Sequence, residues 1–307
     1  MATVDEDCGV AVDDTLLREW PLPQPEHEGD KEERGRVLII AGCREMPGAL
    51  ILAATASLNA GAGKLAVATA ASVARLVAAM LPEARVIELG ETEAGGIASS
   101  AIPRLIELLC SAGAVLVGPG MQDEPAIIDV CAALVKHAAR ATMVLDAAAM
   151  SVVRTSDAGV QPFSHPTILT PHAGELAHLT GMRKEEILEQ PAHAASGAAR
   201  KWNSVVVLKG AVTFIAAPDG SLWRHERGNV GLATSGSGDT LAGIIAGLAA
   251  RGATAEQAAV WGVALHARAG EMLAQRSGPL GYLARDLSAE VPALMHALQT
   301  QQQGPSR

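Results

Sequence analysis

The sequence predicts an α/β fold, with a mostly parallel central sheet lying between layers of helices. Two observations predict it. Short β-branched runs alternate with longer stretches whose apolar residues recur at helical spacing, the order expected where crossover helices join parallel strands. The 307 residues are 49% hydrophobic and 19% charged, enough to bury a large core within the size range of one α/β domain.

Strands are expected at Val37–Ile40, Leu65–Thr69, Arg85–Glu88, Val115–Val117, Met143–Leu145, Thr167–Leu169 and Val205–Leu208. Between them, Ala49–Ala60, Ser72–Met80, Ala101–Ala112, Pro125–Ala139 and Glu175–Leu179 read as helices. Thr213–Ala217 and Leu222–His225, separated by Pro218-Asp219-Gly220-Ser221, read as an antiparallel hairpin, so the sheet is expected to be mixed. Thr254-Ala255-Glu256-Gln257 is a capping box for a helix running through Trp261, Leu265 and Ala269. One body over residues 12–298 is expected, with a loose arm at 1–11 and a disordered tail at 299–307. The charged segment Glu26–Arg36 reads as loose surface.

Aromatic residues make up only 2% of the chain, so Ala, Leu, Val and Ile must fill the core and the layers must approach closely. A net charge of −9 offers no electrostatic attraction to nucleic acid or to an anionic membrane. The acidic N-terminus lacks the regions of a signal peptide, and no apolar run reaches membrane-spanning length. Cys8, Cys43, Cys110 and Cys131 have no metal-like spacing and read as buried thiols of a reducing compartment, which places the chain in the cytoplasm.

The residues that carry chemistry sit where runs end. Gly228 to Gly243 joins a glycine-rich loop to one acidic residue at the start of an apolar helix. Gly236 and Gly238 let backbone approach an anion, and the N–H groups of a helix start carry partial positive charge. Asp239 in that field is expected to stay ionised and to take a proton from a substrate hydroxyl while a phosphate occupies the neighbouring amides. The same pattern also serves as an ordinary helix cap. Gly118-Pro119-Gly120 follows one strand, Asp146 another, Thr170-Pro171-His172 a third and Lys209-Gly210 a fourth. In open α/β sheets ligands gather at these carboxyl ends. Read singly, the first is a turn, Thr170 and Pro171 open a helix as its cap and first residue, and Lys209 is a strand-end lysine.

Taken together and in order, Ile168–Glu175, Val206–Thr213 and Thr234–Asp239 resemble the blocks of the ADP-dependent NAD(P)H-hydrate dehydratase family. Gly48–Ala54, Asn59–Lys64 and Val117–Met121 are similar to its earlier blocks, so the resemblance covers about residues 12 to 298. It implies a ribokinase-like three-layer αβα sandwich and a hydro-lyase reaction of metabolite repair. The S-epimer of NADH or NADPH hydrate loses water and becomes NAD(P)H, while ADP is split to AMP and phosphate. Mg²⁺ is expected with the nucleotide.

By position, the resemblance assigns Asp239 as the catalytic residue and Ala49, Gly120, His172 and Asp239 as contacts to the hydrate. Lys209, Gly210, Ala211, Val212, Thr213 and Gly238 would contact the adenine nucleotide, and the amides of Ser235, Gly236, Ser237 and Gly238 would form an anion hole. A homotetramer and a separate NAD(P)H-hydrate epimerase as pathway partner are also implied. The chain departs from the family where Leu145-Asp146-Ala147-Ala148-Ala149-Met150 replaces the common Leu-Asp-Ala-Asp-Ala-Leu, losing the second carboxylate. Asp30–Gly35 is looser than the usual His-Lys-Gly run. Two alternatives share these features: a small-molecule kinase of the ribokinase superfamily, and a catalytically silent nucleotide-binding homologue.

Overall fold

The computed structural model describes residues 9–24, 34–138, 140–154 and 163–300. Among the described residues ten strands are formed: β1 (Val10–Ala11), β2 (Arg36–Ile40), β3 (Lys64–Ala70), β4 (Ala84–Leu89), β5 (Ala114–Val117), β6 (Thr142–Leu145), β7 (Thr167–Leu169), β8 (Val205–Leu208), β9 (Thr213–Ala216) and β10 (Leu222–His225). They make one sheet in the order β1-β10-β9-β8-β7-β6-β5-β2-β3-β4. From β8 to β4 every pairing is parallel, while β9 runs antiparallel to both of its neighbours. The sheet is therefore mixed at one end only, where the hairpin sits.

Successive residues of a strand face opposite sides of the sheet, and the two cores show it. Val37 and Ile39, Leu116, Val144, Val205 and Val207 enter one core. Leu38 and Ile40, Val115 and Val117, Leu145, Val206 and Leu208 enter the other. Strands buried on both faces read as continuous apolar runs, which is why these are rich in Val, Leu and Ile.

The first face is covered by α2 (Pro47–Asn59), α9 (Ser237–Ala250), α10 (Ala255–Ser277) and α11 (Ala284–Thr300). The second is covered by α4 (Ile102–Leu109), α5 (Glu124–His137), α6 (Ala173–Thr180), α7 (Lys184–Glu189) and α8 (Pro191–Trp202). α1 (Asp14–Glu19) and α3 (Ala71–Met80) complete the helices. Layers are tight, as the small-residue composition requires. A Cβ on Gly243 would lie 2.2 Å from the Ala53 carbonyl oxygen and one on Gly247 2.4 Å from that of Ser57, so α9 lies directly on α2.

Several details differ from the sequence reading. Val10 and Ala11 pair with Trp223 and Arg224, so the sheet reaches into the stretch expected to be a loose arm. Arg36 opens β2 rather than closing a loose segment, and residues 26–33 of that segment lie outside the described residues, as do 1–8 and 301–307. Gln299 and Thr300, assigned to the tail, still belong to α11. Cys43 and Cys131 are buried, but Cys110 is exposed because α4 ends one residue before it. Thr254 caps α10 by accepting from the Gln257 amide, yet the Gln257 side chain turns away to donate to the Trp20 and Pro21 carbonyls, so the capping box is half made. Among the described residues no helix is long and apolar enough to cross a membrane.

Candidate active site

The chain runs outward from β2 to β3 and β4, then returns to place β5 on the other side of β2. At such a reversal the loops leaving adjacent strands diverge and leave a crevice beyond their carboxyl ends. The loop after β5 holds Gly118 at φ +126° and Gly120 at φ +64°, a left-handed region that glycine enters without steric cost. A Cβ on Gly120 would lie 2.7 Å from that of Ala49 and 2.6 Å from the Met46 carbonyl oxygen, and one on Gly118 would overlap the Asp146 carbonyl at 1.9 Å. Ala49, Gly120 and Asp146 thus share one floor, built by the start of α2 and the ends of β5 and β6.

Asp146 is 3% exposed. Thr170 Oγ1 donates to its Oδ1 at 2.6 Å, and Lys209 Nζ lies 3.4 Å from the same oxygen. Lys209 reaches this point because β8 runs beside β7 and its amide donates to the Pro171 carbonyl. Glu175 Oε2 stands 3.8 Å from the ammonium. Burial disfavours the charged lysine, but Asp146, Glu175 and Asp239 together outweigh it and raise its pKa. Lys209 is a fixed cation here.

The Gly-Ser-Gly-Asp loop opens α9. Gly236 is the N-cap residue at φ +88° and carries no side chain to satisfy the first turn, so the capping reading of this pattern does not hold. A Cβ on Gly238 would sit 3.5 Å from Lys209 Nζ, which places the loop beside the cation. Asp239 lies in the first turn, but its helix position does not bring its carboxyl down. Burial first, and the Asp146 charge second, push its carboxyl up to about 6 against the pull of Lys209. Desolvation and a like charge outweigh the helix dipole, and the result is a carboxylate poised as a general base.

His172, not Thr170, is the N-cap of α6. Its Nδ1 accepts from the Glu175 amide at 3.1 Å while Glu175 Oε2 accepts from the His172 amide at 2.8 Å, a complete capping box. An accepting Nδ1 puts the neutral ring's proton on Nε2. The ring is largely exposed, with Nε2 3.6 Å from Glu175 Oε2. Lys209 to Thr213 form the turn between β8 and β9, with Thr213 Oγ1 donating to the Gly210 carbonyl at 3.4 Å. This turn borders a cavity of about 380 Å³ walled by Ile187, Leu188, Pro191, Val212 and Phe214. His266 was not anticipated. It lies in an almost wholly buried stretch of α10 with no periodicity to mark it, yet its Nε2 is 2.9 Å from Ser237 Oγ.

A family model described as NAD(P)H-hydrate dehydratase matches residues 37–293, which span every site element above. The chain belongs to the NAD(P)H-hydrate dehydratase family. Within it, the chain is 50% identical over 286 residues to the ADP-dependent (S)-NAD(P)H-hydrate dehydratase of Xanthomonas campestris, covering 92% of this chain and 94% of that one. It is 38% identical over 278 residues to a bifunctional NAD(P)H-hydrate repair enzyme of Moorella thermoacetica, covering 91% of this chain but only 52% of that longer protein. The crystal structure of the Bacillus subtilis ADP/ATP-dependent NAD(P)H-hydrate dehydratase co-crystallised with ATP and Mg²⁺ superposes with a TM-score of 0.78 at 30% identity, covering 95% of this chain and 99% of that one. The family's αβα sandwich is the fold described here. Ala148, at the position where the resemblance implies a second carboxylate, packs half-buried against the second core beside Asp146.

Proposed function

We propose that this protein removes water from the S-epimer of NADH or NADPH hydrate at the expense of ADP, releasing NAD(P)H, AMP and phosphate. The observation that carries the reading is the placement of Asp239, a carboxylate raised to about 6, in the uncapped first turn of α9, with its neighbour Gly238 beside Lys209. That is a base for a hydroxyl beside a seat for a phosphate.

Hydroxide is a poor leaving group. Asp239 takes the proton of the ring hydroxyl as its oxygen attacks the β-phosphorus of ADP, and AMP departs with the electrons of the bridging bond. The ring nitrogen's lone pair then expels the new phosphate ester as inorganic phosphate, and loss of a proton from the neighbouring carbon restores the double bond. Charge develops on the transferring phosphoryl oxygens, so the amides of Ser235, Gly236 and Gly238 and the Lys209 ammonium contribute most where they face it, while the Ser237 amide already donates to the Thr234 carbonyl. The cavity beside Gly210, Ala211, Val212 and Thr213 has the apolar walls an adenine ring requires. Ala49 and Gly120, packed against each other, form the floor on which the hydrate rests, and His172 Nε2–H donates to one of its phosphate or amide oxygens.

Among the described residues no cluster of three or more His, Cys, Asp or Glu side chains is arranged for a metal. Mg²⁺ keeps several waters and binds chiefly through substrate phosphates, so this donor set fits an ion carried in on the nucleotide seated at Lys209 and the α9 loop. Bound there, it would neutralise phosphate charge. We place the enzyme in the cytoplasm as a homotetramer, acting in sequence with a separate epimerase that supplies the reactive epimer.

The test mixes purified protein with Mg²⁺, ADP and NADPH hydrate. Dihydronicotinamide absorbance is expected to return with AMP and phosphate in equal amounts, and to be absent without nucleotide. A stable phosphorylated alcohol would instead make the protein a kinase, and ADP binding without turnover would make it a silent homologue.

A further inference from the structure

The first turn of α9 has no side-chain cap, because its N-cap is Gly236. The next residue is a serine, and serine hydroxyls readily bond backbone groups one or two residues on. Such a bond would occupy the amides that a phosphate needs. In this structure the Ser237 hydroxyl is turned into the protein interior instead. Its Oγ lies 2.9 Å from His266 Nε2, and the same nitrogen lies 3.1 Å from the Ser237 carbonyl oxygen. Both residues are buried, and they come from the two helices that pack side by side on the first face.

We propose that His266 is a positioning residue for phosphoryl transfer, holding the Ser237 hydroxyl away from the α9 amides so that those donors stay available to the nucleotide phosphate. This deepens the functional reading above and rests on it. With Nε2 unprotonated the ring accepts from the hydroxyl; with Nε2 protonated it donates to the carbonyl or hydroxyl oxygen. Either tautomer engages Ser237. Burial first, with Lys209 and His225 adding to it, lowers the ring's pKa to about 4, so it is neutral near pH 7.

The test uses His266→Leu, His266→Gln and the double variant Ser237→Ala/His266→Leu. Two measurements are made on each: steady-state turnover with ADP and NADPH hydrate, and calorimetric binding of pyrophosphate alone. Replacing His266 by Leu is expected to lower kcat and weaken pyrophosphate about ten- to a hundredfold, with KM for the hydrate nearly unchanged. Gln, whose amide reaches the Nε2 position, is expected to recover most of the loss. Ser237→Ala added to His266→Leu is expected to recover pyrophosphate affinity, because the competing hydroxyl is gone.

A purely structural histidine gives no such rescue, and its loss of activity follows the unfolded fraction measured by circular dichroism at the assay temperature; that result would overturn the proposal. So would unchanged pyrophosphate affinity in His266→Leu. Should the leucine variant fail to fold, His266→Asn, with an amide too short to reach Ser237, replaces it. If wild-type protein binds pyrophosphate with this pattern of loss and rescue but never turns over the hydrate, the functional reading fails and the role of His266 stands. Turnover by the wild type with indifference to every His266 change is the reverse case.

Discussion

Asp239 carries a cost that the role proposed for it explains. Its carboxyl titrates near 6 in the folded protein against an ordinary 3.8. The folded state therefore holds more protons than the unfolded one between those values, and stability falls as pH rises through that window. Above it the full penalty applies, at most about 3 kcal/mol from about 1.4 kcal/mol per pKa unit. Asp239→Asn is expected to abolish turnover and yet raise stability at pH 7 by about 1–3 kcal/mol, read as a higher midpoint in urea. In wild type, kcat/KM is expected to rise with pH through about 6. Since the Asp146 charge contributes to that value, Asp146→Asn is expected to move the acid limb to lower pH, measurable in a pH–rate profile. The importance of Asp239 was legible in the glycines before it. Its pKa was not, because the charge that raises it and the lysine that opposes it arrive from β6 and β8, far away in sequence. His172 shows the same limit: proline at 171 suggested a helix opened by Thr170, but Thr170 is engaged by Asp146 and the cap passes to the histidine.

At the scale of elements, the proposed site depends on how closely α2 and α9 pack, because Ala49 lies in the first turn of one and Asp239 in the first turn of the other. Gly243 and Gly247 permit that approach, and Ser57 Oγ donates to the Gly243 carbonyl at 2.8 Å to lock it. Gly243→Ala places a methyl 2.2 Å from the Ala53 carbonyl oxygen. It is expected to cost about 1–3 kcal/mol in a urea titration, and to lower kcat in the fraction that stays folded as the two helix starts part. The strands were legible because two-sided burial writes continuous β-branched runs. Short α1 and α7, and α8 with its alanine-rich face, were not, since six residues or a blurred apolar stripe leave little periodicity to read. His266 was missed for the opposite reason: α10 is buried almost all round, so no position in it stands out.

For the whole molecule, the reversal of strand order between β5 and β2 brings five separated sequence blocks to one edge of the sheet, while the sixth, Asn59–Lys64, lies at the opposite edge where β3 begins. Their order suggested this, and the parallel register makes it unavoidable. The assembly is expected to be a homotetramer, which light scattering on a size-exclusion column checks; a monomer at micromolar concentration contradicts it. The central claim is that the substrate hydroxyl leaves as part of a phosphate. Its most direct test uses NADPH hydrate carrying ¹⁸O in that hydroxyl, with ADP and Mg²⁺, followed by mass analysis of the products. The mechanism requires the label in inorganic phosphate, with AMP unlabelled; label released into water while the phosphate stays unlabelled would contradict it.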